Sequence, residues 1–182
     1  MTTAHEILLT QKWLTDIVIG YGLCPFASKV YDEGQVDFSA IEFSYQSLLD
    51  EMNESIDRII DDNNHTSTKL IIIKKGLEDF NAYLDVYYAL VEELERTELS
   101  NVVQLASFHP LYVFKDKQSD EVSNYSNRSP YPIIHILKVA DVTAAIESHP
   151  DIHSVGPKNI ALLEQKGLAV IKQLWKANGF VR

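Results

Sequence analysis

Apolar residues near the start recur at helical spacing, with Ala4, Ile7, Leu8, Leu14, Ile17, Val18 and Tyr21 on one stripe. Thr3 and Glu6 match a capping box at the head of this helix. Gly20 and Gly22 loosen its end and Cys24–Pro25 stops it, since a residue before proline is driven out of helical space. Cys24 is therefore expected at a helix-to-loop junction. From Gln35 to Ser44 the pattern alternates, but Val36, Phe38 and Ala40 are out of phase with Ile41 and Phe43, which predicts a strand carrying a bulge. Ser47 with Asp50 opens a second helix, whose stripe is Leu48, Leu49, Met52, Ile56, Ile59 and Ile60. A polar loop, D-D-N-N-H-T-S-T, comes next.

The run L-I-I-I between Lys69 and Lys74 reads as a central strand covered on both faces. Phe80, Tyr83, Leu84, Tyr87, Leu90, Val91 and Leu94 mark a third helix, and Val102 to Phe108 the next strand. A long connection from His109 to Pro132 leads to a strand from Ile133 to Lys138, then a short helix from Asp141 to Glu147. Pro157 opens a final helix through Ile160, Leu163, Leu168, Ile171, Leu174 and Trp175, ended by Asn178–Gly179. The order is an N-terminal helix followed by β-α-β-α-β-β-α. That predicts an α/β fold of two or three layers with a mixed sheet, in which helical crossovers join parallel strands and the last two strands pair antiparallel. A thioredoxin-like arrangement is favoured over a ferredoxin-like sandwich. With no repeat and no linker, residues 1–182 are expected to form one domain.

Charge narrows the partners. Sixteen basic and 26 acidic side chains give a formal net charge of −10, and such a surface repels phosphate backbones, so nucleic acid is not an expected partner. The acidic runs at Asp32–Glu33, Asp50–Asp62 and Glu92–Glu98 read as solvated helix faces. No apolar run approaches the roughly 18 residues of a membrane span, and the N-terminus lacks signal-peptide features. One cysteine cannot form an internal disulfide. A cytoplasmic protein with no membrane association is the expectation.

The chemistry gathers in turn-rich segments. A connection longer than about 12–15 residues inside a compact domain is often functional. If the strands flanking the His109–Pro132 connection form a hairpin, His109 and His135 come near one another, and Asn124, Asn127, Arg128 and Ser129 fold over the same edge. Arg128, a guanidinium among hydrogen-bonding neighbours in an acidic chain, suits a carboxylate or phosphate. Its structural alternative is an anchor for the loop. Asn124 and Asn127 serve turns equally well, and His109 and His135 each have a structural reading as strand residues. Cys24 reads as a nucleophile or as a small buried hydrophobe. With Ala27 in the fourth position, C-x-x-C redox chemistry is excluded. A metal held by Cys24, His109 and His135 suits the ligand types, without a close-spaced pair to support it. Nucleotide-loop, zincin and nucleophile-elbow motifs are absent. Tyr83, Tyr87 and Tyr88 read as core and flank.

Four motifs stand in order: I-G-Y-G-L-C-P-F-A (Ile19–Ala27), A-S-F-H-P (Ala106–Pro110), N-Y-S-N-R-S-P-Y-P-I-I-H-I-L (Asn124–Leu137) and N-I-A-L-L (Asn159–Leu163). Together they resemble the bacterial domain-of-unknown-function family 1415, over roughly Ile7 to Gly167. Ser126 stands where that family more often has threonine, and Leu111 where it more often has an acidic residue. The resemblance implies one self-contained cytoplasmic domain and carries no activity with it.

The expectation is a small cytosolic enzyme acting on an anionic small molecule. Arg128, with Asn124, Asn127 and Ser129, would bind it; His109 or His135 would act as acid/base and Cys24 as nucleophile or ligand. The alternatives are a non-catalytic protein-binding module and a single-cysteine, thioredoxin-like redox protein. The oligomeric state is not legible.

Overall fold

The computed structural model describes residues 4–61, 63–149 and 151–180. Its strands are β1 (Val36–Glu42), β2 (Thr68–Lys75), β3 (Val103–Phe108) and β4 (Ile133–Lys138). Its α-helices are α1 (His5–Trp13), α2 (Ala27–Asp32), α3 (Tyr45–Ile60), α4 (Phe80–Arg96), α5 (Val139–Ser148), α6 (Val155–Lys166) and α7 (Leu168–Ala177). The class is α/β, and β1, α3, β2, α4, β3, β4 and α5 succeed one another along the chain. Several boundaries differ from expectation for local reasons. Ser44, not Ser47, caps α3 by accepting the Ser47 N–H. The predicted last helix breaks into α6 and α7 at Gly167, whose φ of +80° ends a helix. The short α2 had no periodic signal. Thr3 of the expected capping box lies outside the described residues.

The sheet runs β1-β2-β4-β3, with β1 parallel to β2 and β4 antiparallel to both neighbours. The predicted bulge appears as a register shift between Ile41 and Glu42. The chain moves across the sheet in one direction from β1 to β2 to β3, so crossovers of one hand leave α3 and α4 on the same face. A thioredoxin-like arrangement reverses direction after the first crossover and separates these helices. A ferredoxin-like sandwich leaves one face bare, whereas here α1, α6 and α7 cover the second face. Three layers result, in an order different from either expectation.

Alternation along the strands divides the core. Ile71, Ile73, Ile134 and Ile136 face α3 and α4; Leu70, Ile72 and Ile133 face the opposite helices. Each fully buried aliphatic side chain contributes about 1.5–3 kcal/mol relative to exposure. Lys69 is buried on the α3 side, where its ammonium meets Asp37 at 2.7 Å and Glu51 at 3.2 Å. Tyr83, on α4, ties the hairpin to the helix layer: its hydroxyl donates to the Ile133 carbonyl at 2.7 Å and accepts the Phe108 N–H at 3.2 Å. Tyr83→Phe leaves both backbone groups without this partner and is expected to destabilise by about 1–3 kcal/mol in chemical denaturation, with the fold retained.

Candidate functional site

β3 and β4 form the expected hairpin, with Ala106 opposite His135 and Phe108 opposite Ile133. The two histidines nevertheless do not meet. His135 shares the face of Ala106 and Phe108, and His109 follows Phe108 onto the other face, among Phe80 and Tyr83 with ring centroids 5.2 and 5.0 Å away. His109 is fully buried and both its nitrogens are occupied. Nε2 lies 3.0 Å from the Leu77 carbonyl, and Nδ1 accepts the Leu111 N–H at 3.0 Å. Burial pushes its pKa down, against the hydrogen bond to Leu77, which raises it. The expected Cys24–His109–His135 metal set is therefore not assembled. Among the described residues no three His, Cys, Asp or Glu side chains form a metal-binding group.

The four polar residues of the long loop bond to backbone of the loop and of its flanking strand. Arg128 donates to the Tyr112 and Ser119 carbonyls at 3.2 and 2.7 Å and covers the Tyr125 ring at 4.5 Å. Asn124, fully buried, accepts the Phe114 N–H and donates to the Gln118 carbonyl. Asn127 donates to the Ser107 carbonyl at 3.3 Å, and Ser129 to the Tyr131 carbonyl. The guanidinium expected to meet an anion is turned onto its own loop, because the loop's inward carbonyls are the nearest acceptors.

Cys24 and His135 do come to one place. Both line a cavity of about 290 Å³ on the α1 face of the sheet, walled by Trp13, Leu14, Val18 and Phe108. Ahead of Cys24, residues Leu14–Ile19 form a π-helix, a wide turn often found at functional sites. The Gly20 N–H reaches back to the Thr15 carbonyl, so a Cβ at position 20 would stand 2.5 Å from the Asp16 oxygen. Glycine is required there. Asn159 of α6 donates to the Leu23 carbonyl at 2.7 Å and pins the segment from the other side.

His135 occupies a core position opposite the small Ala106, which leaves space above it. Thr68 Oγ1 donates to the Ile136 carbonyl at 2.7 Å and lies 2.6 Å from His135 Nε2. A hydroxyl has one proton, so this network assigns the ring proton to Nε2 and leaves Nδ1 as an acceptor with no hydrogen-bond partner among the described residues. Burial in apolar surroundings depresses the pKa to about 4, so the imidazole is neutral at pH 7.

A second cavity, of about 530 Å³, adjoins the first, since Val18, Cys24 and Phe108 line both. Its far side carries Lys115, Ser123, Asn127 and Gly156. Sequence reasoning missed Thr68, Lys115, Ser123 and Gly156, which lie on no shared motif. Asn159 had a signal in the N-I-A-L-L motif.

These contacts have two measurable outcomes. Histidines with folded pKa values below the unfolded value of about 6.5 take up protons only on unfolding. Stability is therefore full above pH 6.5 and falls as the pH drops from 6.5 toward 4, by up to about 3 kcal/mol for His135. His135→Asn is expected to flatten this dependence in denaturation measured across that range. Arg128→Ala is expected to cost about 1.5–3 kcal/mol by releasing two loop carbonyls, read in the same measurement.

No curated protein and no solved structure matched the sequence. A family model described as a protein of unknown function, DUF1415, matches residues 6–173, nearly the whole chain. The four motifs, now seen around one pair of cavities and the loop beside it, and the extent of that match agree: the chain belongs to the DUF1415 family.

Proposed function

We propose that the protein is a small enzyme acting on an anionic small molecule, with Cys24 as its reacting group and His135 as proton acceptor. The observation that carries this reading is the position of Cys24 in a wall shared by two cavities, one of which holds His135 with Nδ1 as an acceptor. The apolar walls of the first cavity suit the body of the molecule and exclude water from it.

His135 bonds to Thr68, not to Cys24, so the two groups act on a bound molecule from different walls. In the reaction class that fits them, the Cys24 thiol proton passes to Nδ1, directly or through a water. The sulfur bonds to an electrophilic carbon, whose π electrons move to its heteroatom. A thiolate forming nearby offsets the cost of charging the half-buried imidazole. Arg128 and His109, occupied elsewhere, hold the loop and the hairpin in this reading.

The test offers a metabolite extract to the wild-type protein and monitors its components by mass spectrometry. At least one anionic component is expected to be consumed, with the rate falling about 100-fold or more in Cys24→Ala and His135→Asn while circular dichroism stays native. Undiminished consumption by Cys24→Ala would overturn the reading.

A further inference from the structure

We infer that the second cavity is an oxyanion subsite, in which the first turn of α6, the Ser123 hydroxyl and Lys115 receive a carboxylate or phosphate group. The three contributors come from separate parts of the chain. α6 is a 12-residue helix that no side chain caps: Ser154 turns its hydroxyl to the Asp151 carbonyl instead. Its positive end therefore lacks a side-chain cap, and the Asp151 carboxylate just ahead of it is turned to Lys158 at 3.7 Å. Gly156, in that first turn, lines the cavity, and a Cβ built on it would touch nothing within 4 Å. Packing therefore does not demand a glycine, which is otherwise a poor helix residue, whereas a ligand approaching the backbone does.

Ser123 supplies the independent observation. It is only 3% exposed, lines the same cavity, and its Oγ has no hydrogen-bond partner among the described residues. A buried hydroxyl without a partner costs stability unless something satisfies it. The charge agrees. In a chain of net charge −10, the cavity's charged lining residues are Lys115 and Lys117, with no carboxylate among them. Lys117 is already paired with Glu121 at 2.8 Å, whereas Lys115 forms no ion pair among the described residues. An anion there lies across the Cys24 wall from the apolar cavity, so the molecule accommodated by both has an apolar body and an oxyanion end.

That last step rests on the enzyme reading; the subsite itself does not. The test therefore uses Cys24→Ala protein, titrated with inorganic phosphate and with acetate at constant ionic strength against chloride, and observed by amide NMR. Saturable shifts at Ser123, Val155 and Gly156 are expected. Affinity should fall about fivefold or more in Lys115→Ala, Ser123→Ala and Gly156→Ala. Ser123→Ala and Gly156→Ala should melt no lower than the parent, since neither removes a contact, which separates a binding role from a structural one. Shifts that do not saturate, that spread over surface lysines, or that persist unchanged in the three variants would overturn the subsite. Such a failure would leave Cys24-dependent turnover standing, and loss of that dependence would leave the phosphate result standing.

Discussion

The insertion of β4 between β2 and β3 is the constraint on which the rest of the molecule depends. β4 runs against both neighbours, and its hydrogen-bonding groups on each edge are taken up by a different strand. A strand so placed is buried on two faces and two edges, which suits the near-continuous apolar run I-I-H-I-L. Its pleat then decides which layer each side chain joins. Ile134 and Ile136 go to α3 and α4, and Ile133 and His135 to α1 and its neighbours. One polar residue in that run must find a partner inside the protein, and Thr68 on the adjacent strand supplies it.

The same pleat separates the two histidines that chain order brings close. His109 becomes part of an aromatic cluster under α4 and braces the strand end, while His135 looks into open space across from Ala106. The long connection after β3 then has a definite task. It must return the chain to the start of β4 while covering a sheet edge, and it does so by spending its polar side chains on carbonyls within it and beside it. A loop that satisfies itself in this way behaves as a fixed wall.

Much of the architecture was legible because it rests on periodicity. The helices and the bulge in β1 leave marks at spacing 3.6 or two, the buried β2 leaves a continuous apolar run, and the β3–β4 hairpin follows from the order of elements. The strand order left none, since it depends on which edge the hairpin takes, and no local pattern encodes that choice. Residue type alone singled out Cys24 and His135, which do line one cavity. It also grouped them with Arg128 and His109, which are held in part by backbone carbonyls of Tyr112, Ser119 and Leu77. Such bonds are invisible in sequence because any residue supplies a carbonyl. Ser123 and Gly156 are ordinary residues that become distinctive only once a cavity forms beside them.

The π-helix before Cys24 has a further meaning for how this chain can vary. A turn closed by bonds five residues apart holds one residue more than an α-helical turn between the same anchors. With Trp13 set in the core and Asn159 gripping Leu23, the count of residues between them is part of the site's geometry. Each residue added or removed there rotates the downstream chain by about 100°, which would carry Cys24 out of the wall it shares. Spacing within this segment therefore fixes where Cys24 stands in this chain.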